Sequence, residues 1–392
     1  VVVVFKFDKA HLWRDFSLTE RLLTEARAVC SYARNTFLPE NAVMGVFHDD
    51  YVISTGLFQP WTTAPALLAI AGLLLAGILL ARSSLWMVAL GILLFLSGHL
   101  IESTVIPLEL YFEHRNYLPA VGLLLAASHL LLASPLSRNS LAILYFLYLS
   151  VLVLCTHQRS QTWGDNDTLL MTSAMNHPRS VRAWTDYTEN LVTQGQGLQA
   201  LEADSIAARQ NPEMASIFYL QMISIYCRSN QTPPPALIQL TANSLETLPA
   251  NRPSAFISIS TGLDFILTQH LQQECGKPDF SPMARGILVL DRNLSAHFGA
   301  QRGRLWSLRL VMADWLQALD KTDDAVRLLQ DAWDNSDRSM IPMVGLGLAQ
   351  ALAKTGDTAR LGQVLDQLEL TADNPPPDFQ AEMKSLRSRH QE

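Results

Sequence analysis

The chain has 392 residues, 49% of them hydrophobic, and a formal net charge of −7. That is room for two domains, and with no basic block of useful length it excludes a nucleic-acid surface. Mean hydropathy is +0.14 although the second half is polar, so the apolar excess is concentrated between Trp61 and Thr156.

In chain order, the sequence opens VVVVFKF, with neither an initiator methionine nor the basic start of a signal peptide. The run Val1–Val4 reads as the end of a transmembrane helix, and the chain as the C-terminal portion of a longer protein. Glu20 to Leu38 reads as an amphipathic helix. Glu20, Thr24, Arg27, Ser31 and Arg34 form a polar stripe, and Leu22, Ala26, Val29, Ala33 and Phe37 an apolar one. Such a helix lies in the headgroup layer or turns its polar face to a wet cavity. Pro39 ends it, and the loop to Pro60 contains His48-Asp49-Asp50, which reads as a solvated turn.

Four apolar runs follow: Trp61–Ala81, Ser83–Ile101, Tyr117–Leu136 and Ser140–Thr156, the last being the shortest. A span of about 30 Å of hydrocarbon takes about 20 residues, so four transmembrane helices are expected. The tight turns at Arg82-Ser-Ser and Ser137-Arg-Asn each carry one arginine and no acid. The positive-inside rule makes those turns cytoplasmic. The loop before Trp61, the loop between the second and third spans, and the tail are then periplasmic.

That second loop, within Ile101–Gly122, holds Glu102, Glu109, Glu113, His114 and Arg115. Ionisable groups beside a bilayer are retained where they pair with one another or serve a site. His99 and His129 read as packed, hydrogen-bonded histidines within the apolar runs.

The fold class is all-α: a polytopic membrane helix bundle followed by an α-solenoid resembling tetratricopeptide repeats. Residues 1–60 are the end of a preceding span, the amphipathic helix and an outer loop. Residues 61–156 are the four-helix membrane region, and residues 157–392 the periplasmic repeat domain. In the tail, His177-Pro178 and Asn211-Pro212 are spaced by roughly the 34 residues of one such repeat. Gln317-Ala-Leu-Asp-Lys-Thr and Gln350-Ala-Leu-Ala-Lys-Thr recur at a similar interval. Ala183, Ala200, Ala325 and Ala351 suit close helix packing, and Trp163, Trp184, Phe218, Trp306, Trp315 and Trp333 suit a core. Thr232-Pro-Pro-Pro and Asn251-Arg-Pro argue for loops or a degenerate repeat between about Gln231 and Phe298. Asn374-Pro-Pro-Pro precedes a last short helix. Cys30, Cys155, Cys227 and Cys275 have no metal-ligand spacing and read as free thiols, with a Cys227–Cys275 disulfide as the alternative in an oxidising compartment.

Glu113-His-Arg-Asn-Tyr-Leu-Pro-Ala-Val-Gly resembles the E-x-R-x-Y-L-P-S-x-G signature of membrane proteins that join a polytopic domain to tetratricopeptide repeats, among them the transmembrane-and-TPR protein O-mannosyltransferases. Ala120 stands where that family has serine. Leu18–Pro39, with Leu-Leu-Thr-Glu-Ala-Arg, is similar to the segment before the family's later spans. Arg159-Ser-Gln-Thr-Trp-Gly-Asp, running on to Ala-Met-Asn-His-Pro178, is similar to its R-x-x-x-W-x-D lead-in to the first repeat. The resemblance covers roughly residues 11–215.

It implies a membrane domain of the GT-C type and a polyprenyl-phosphate-linked sugar as donor substrate, with no other cofactor assigned. The catalytic carboxylate of that fold lies in an earlier external loop, so none is assigned here, and Asp49-Asp50 is not promoted to the role. Transfer from a lipid phosphate needs cations for the departing group, and arginine suits this through its bidentate fork. Arg115 is the candidate, with His114 and Tyr117 as further donors and Glu113 or Glu109 to orient it. Arg27 and Arg34 are secondary candidates for the same cavity. The competing reading of the Glu/Arg loop is a fastening with no ligand. Two functions follow: the C-terminal part of a membrane glycosyltransferase whose repeats bind a protein acceptor or partner, or a non-catalytic membrane-anchored scaffold for envelope, pilus or polysaccharide assembly. Membrane lipid is a partner in both, and no metal site is expected.

Overall fold

The computed structural model describes residues 14–41, 44–272, 275–299, 305–335, 341–371 and 377–391. The valine run at the start lies outside these. Among the described residues the fold is all-helical, with one isolated bridge between Gly56 and Gln59 as the only extended pairing. The chain divides into two compact units, one ending at Gln196 and the other beginning at Gly197.

The first unit begins with α1, Leu18–Phe37. Its start is fixed by a capping box: Ser17 Oγ accepts from the Glu20 amide, and the Glu20 carboxylate accepts from the Ser17 amide. This reciprocal pairing satisfies two amides that the first turn leaves open. The buried face carries Arg21, Thr24, Glu25, Ala26, Ala28, Val29 and Tyr32. Of the expected apolar stripe, Ala26 and Val29 are buried and Ala33 and Phe37 pack beside Val29, while Leu22 is exposed. An ion pair sits on the same packed face.

Four apolar helices follow: α2 (Thr63–Leu80), α3 (Trp86–Gly98), α4 (Tyr117–Leu132) and α5 (Arg138–Trp163). Only α2 and α5 are long and apolar enough to cross a membrane; α3 has 13 residues and α4 has 16. The last apolar run is thus not the shortest helix but the longest, with 26 residues. The polar residues from His157 to Trp163 continue it without a break, until Gly164 and the Asp165 cap of the next helix. None of its residues is buried, so it offers an apolar surface all round, the pattern of a span facing lipid.

Helices α3 and α4 approach backbone to backbone. A Cβ on Gly91 would collide with the Gly122 carbonyl oxygen, and one on Gly122 with that of Gly91. Glycine at both positions, having no Cβ, is what lets the two helix backbones come this close. Phe95 and Leu123 from this pair close on Val29 of α1. The unit ends with α6 (Asn166–Asn176) and α7 (Val181–Thr193), capped by Asp165 and Ser180. Both belong to the stretch that the sequence reading placed with the tail.

The second unit contains α8 (Gly197–Gln210), α9 (Ala215–Arg228), α10 (Pro235–Glu246), α11 (Ser254–Leu271), α12 (Ser281–Phe298), α13 (Trp306–Ala318), α14 (Thr322–Asn335), α15 (Ile341–Thr355), α16 (Thr358–Thr371) and α17 (Pro377–Gln391). Helix α9 packs on α8 and α11, α10 on α12, and α13 to α16 each on the next. Thr232–Pro234 and Asn251–Pro253 lie in the connections before α10 and α11, as expected, and the stretch between and after them is helical. The prolines fall at helix starts, Pro234 and Pro235 opening α10 and Pro253 preceding α11, where the missing N–H costs nothing. Ala200, Ala325 and Ala351 are buried at contacts between helices, and Phe218 and Trp315 lie in the core. Trp163 does not: it is exposed at the end of α5. The matched hexapeptides are out of step with the helix ends. The left-handed residues after α13 and α15, Asp320 and Gly356, are not corresponding positions in them.

Cys227 and Cys275 are joined as a disulfide, which corrects the reading of four free thiols; Cys30 and Cys155 are free. The fully buried Arg309 of α13 pairs with Asp291 of α12 at 2.7 Å and Asp331 of α14 at 2.8 Å, and donates to Ser295 Oγ. Three helices are thereby fixed by one guanidinium.

Candidate functional site

The charged loop of the first unit, residues 99–116, is held from below by α1. Arg21, with a fully buried side chain, donates through Nε to the Thr104 carbonyl at 2.8 Å and through its terminal nitrogens to the carbonyls of Leu108 and Glu102. It also lies 2.9 Å from Glu25, one turn on. A loop without regular structure leaves backbone carbonyls unpaired, and one buried guanidinium closes three of them. Arg21 and Glu25 escaped the sequence reading because they fall between its two stripes. Their i, i+4 spacing inside the motif-like segment was the available signal.

Arg115 lies in a short 3-10 turn, Glu113–Asn116. Its side chain is 5% exposed, pairs with Glu102 at 3.2 Å, donates to the Glu109 carbonyl and stacks over Phe112. Neither Glu113 nor the Glu109 carboxylate orients it, as the sequence reading expected. Glu109 pairs with Arg14 at 2.8 Å and Arg182 at 3.5 Å, and Glu113 with Arg159 at 3.2 Å. His114 and Tyr117 are exposed, His114 stacking on Phe112. Arg27 is turned to the Val52 carbonyl and the Tyr51 ring, and Arg34 pairs with Glu40. The secondary candidates are therefore not gathered with Arg115.

These contacts make Arg115 a fastening group in the geometry seen. Arg115→Ala should lower the stability of the membrane unit by roughly 1–3 kcal/mol, because the Glu109 carbonyl loses a buried donor. The half-exposed Glu102 pair adds little. Thermal unfolding of the solubilised protein measures this. An unchanged melting curve combined with loss of a bound ligand would assign Arg115 to a site instead.

Asp49 and Asp50 lie in a turn, with Asp49 exposed, and both are tied to the segment that opens α7. Asp50 accepts from His177 Nδ1 at 3.0 Å, while Asp49 accepts from the Ser180 hydroxyl and from the Arg182 amide at 3.3 Å. Phe47 lies under the Arg182 guanidinium at 4.0 Å. The loop is thus latched to the start of α7. Between latch and α1 runs a stack of rings: Tyr51 on Tyr111 at 5.1 Å, Tyr111 on Tyr32 at 4.7 Å, and Tyr32 on His99 at 5.2 Å. Burial pushes the phenols of Tyr32, Tyr51 and Tyr111 up, so all three stay neutral.

Burial also raises the Glu25 carboxyl, to about 7, against the opposing pull of Arg21. His99 is buried as expected, with the Asn116 side chain against its ring but no well-aligned hydrogen bond to either ring nitrogen. Among the described residues no group of histidine, cysteine and carboxylate side chains is placed to hold a metal ion. No protein-family profile, curated protein or solved structure matches this chain.

Proposed function

We propose that the chain is the C-terminal part of a multi-pass membrane glycosyltransferase of the transmembrane-and-repeat type. Its membrane unit helps present a polyprenyl-phosphate sugar at the periplasmic face, and its helical repeats engage a protein acceptor or partner. The observation that carries this reading is the convergence of the three motif-like stretches. Arg21 and Glu25 from Leu18–Pro39 underlie the 99–116 loop, and Arg159 from the third stretch pairs with Glu113 of the signature. Separate segments that carry a family's signature are expected to meet where they share a task. The disulfide in the second unit fits the periplasmic side, where such bonds persist. In this reading α3 and α4 cross as a tight pair with α2 and α5, and their shortness is met by local bilayer thinning.

With Arg115 engaged, the donors open to a lipid phosphate are the exposed His114 and Tyr117 beside it. The catalytic carboxylate is assigned to another part of the full-length protein. A second reading, a membrane-anchored scaffold without catalysis, is favoured by one observation: the guanidinium best suited to phosphate is already spent on Glu102 and the Glu109 carbonyl.

Native mass spectrometry of the full-length protein in detergent, with added polyprenyl-phosphate hexose, separates the two. The transferase reading expects a bound glycolipid whose occupancy falls about tenfold, equivalent to about 1.4 kcal/mol, when His114→Ala and Tyr117→Phe are combined. Folded protein that retains no glycolipid would leave the scaffold.

A further inference from the structure

Four side chains in and beneath the 99–116 loop carry buried polar atoms without a well-aligned hydrogen bond, namely both carboxylate oxygens of Glu25, the hydroxyl of Ser103, both ring nitrogens of His99 and the side-chain oxygen of Asn116, and their polar neighbours are largely one another. Glu25, His99 and Ser103 are 1%, 4% and 9% exposed. Buried polar groups in folded proteins are nearly always paired, so several without an aligned partner call for a common explanation.

They form one line. Ser103 lies against the Glu25 carboxyl, and Asn116 against the His99 ring. The Ser103 amide bonds to the His99 carbonyl at 2.9 Å, which places the two side chains one turn apart. On the opposite wall, Glu25 and Tyr32 share the buried face of α1, and the Tyr32 ring stacks on His99. Asn116 donates its amide to the Tyr32 carbonyl at 3.0 Å and to Thr36 Oγ1 at 2.9 Å, fixing its side-chain oxygen. A carboxyl, a hydroxyl, an imidazole and an amide oxygen thus follow one another, each able to give or take a hydrogen bond.

The geometry points to a buried proton-exchange site, in which Glu25 binds a proton and Ser103, His99 and Asn116 connect it through bound water. Water suits the site because these atoms include both acceptors and donors, and one buried water makes about three hydrogen bonds to such groups. A cation does not suit it, because Arg21 and Arg115 both act on Glu25. The charged and titratable groups around the carboxyl are Arg21 on its own helix, Glu102, Glu109 and Arg115 on the loop, Arg14 behind Glu109, and the phenols of Tyr32 and Tyr51.

Arg21 has three carbonyl acceptors, so its charge stays satisfied when Glu25 is neutral. Burial strips water from the carboxylate and outweighs the opposing pull of the guanidinium 2.9 Å away, so folding favours the protonated form, with a carboxyl raised from 4.5 to about 7. Because the folded state holds the proton more tightly than the unfolded chain, stability falls as pH rises from about 4.5 through about 7.

Infrared titration of the native protein in lipid nanodiscs tests the assignment. A protonated-carboxyl C=O band should titrate near neutrality, shift when H₂O is exchanged for D₂O, and vanish in Glu25→Gln. Ser103→Ala should move its midpoint upward, since the hydroxyl favours the ionised form, and this variant carries the test if Glu25→Gln fails to accumulate. The proposal is overturned by a band that survives Glu25→Gln, by one that ignores D₂O, or by a midpoint unmoved in Ser103→Ala.

Discussion

Arg21→Met is expected to release the 99–112 segment while leaving the second unit intact. Methionine keeps most of the volume but removes every donor, so the carbonyls of Glu102, Thr104 and Leu108 lose their partner together and Glu25 loses its counter-charge. Breaking a buried ion pair from one side costs about 3–5 kcal/mol, because the remaining group stays buried and uncompensated. The loss depends on pH in a definite direction. Below about 7 Glu25 is already protonated, and the variant forfeits only the carbonyl bonds. Above it, the variant must bury a lone carboxylate or take up a proton at further cost, so the penalty grows with pH. Adding Glu25→Gln should recover part of it at alkaline pH and almost none at acid pH. Hydrogen exchange read by mass spectrometry, corrected for the intrinsic pH dependence, follows the 99–112 amides directly. Wild-type protection of that segment in the variant would refute the clamp.

Cys227→Ser combined with Cys275→Ser has the second large expected effect, confined to the other unit. The bond joins the end of α9 to the connection between α11 and α12 across a separation of 48 residues. On the chain-entropy account a closed loop of that size stabilises by about 4 kcal/mol, within the 2–5 kcal/mol that native disulfides typically contribute. Both positions are buried, so serine also places two hydroxyls among apolar neighbours. The second unit should melt earlier and become cleavable between α9 and α12, with the melting of the first unit unaffected. Equal melting of reduced and oxidised wild-type protein would show that the bond contributes no stability.

Helices were legible wherever one strong signal decided them. The apolar runs, the alternating four-and-three spacing from Glu20, and Pro39 are local, and local signals gave α1 within a residue or two. Boundaries failed where the signal was hydropathy rather than helix chemistry. Hydropathy ends at Thr156, but nothing in His157–Trp163 breaks a helix, so α5 continues to Gly164. The prolines before α10 and α11 mark the connections they were read as, but proline is also compatible with a helix start, so they do not show where each following helix opens. At the candidate site the loop was found from its charges. The partners of those charges were not, because Glu109 pairs with Arg14 and Arg182 and Glu113 with Arg159, groups that lie in other segments of the chain.

By itself the sequence determined that the chain is helical, that its apolar helices lie between Trp61 and Thr156, and that charge is concentrated where α3 gives way to α4. Composition and periodicity fix these through local propensity and hydrophobicity, which act on neighbouring residues. Tertiary structure alone decided that Arg21, rather than Arg115, holds the most backbone carbonyls, that Asp49 and Asp50 latch to Ser180 and His177, that Cys227 meets Cys275, and that Glu25 and His99 share a buried polar line. Each is a contact between distant segments, and the energy of a charge or a hydrogen bond in a low-dielectric interior depends on what packs against it, which no single stretch of sequence contains.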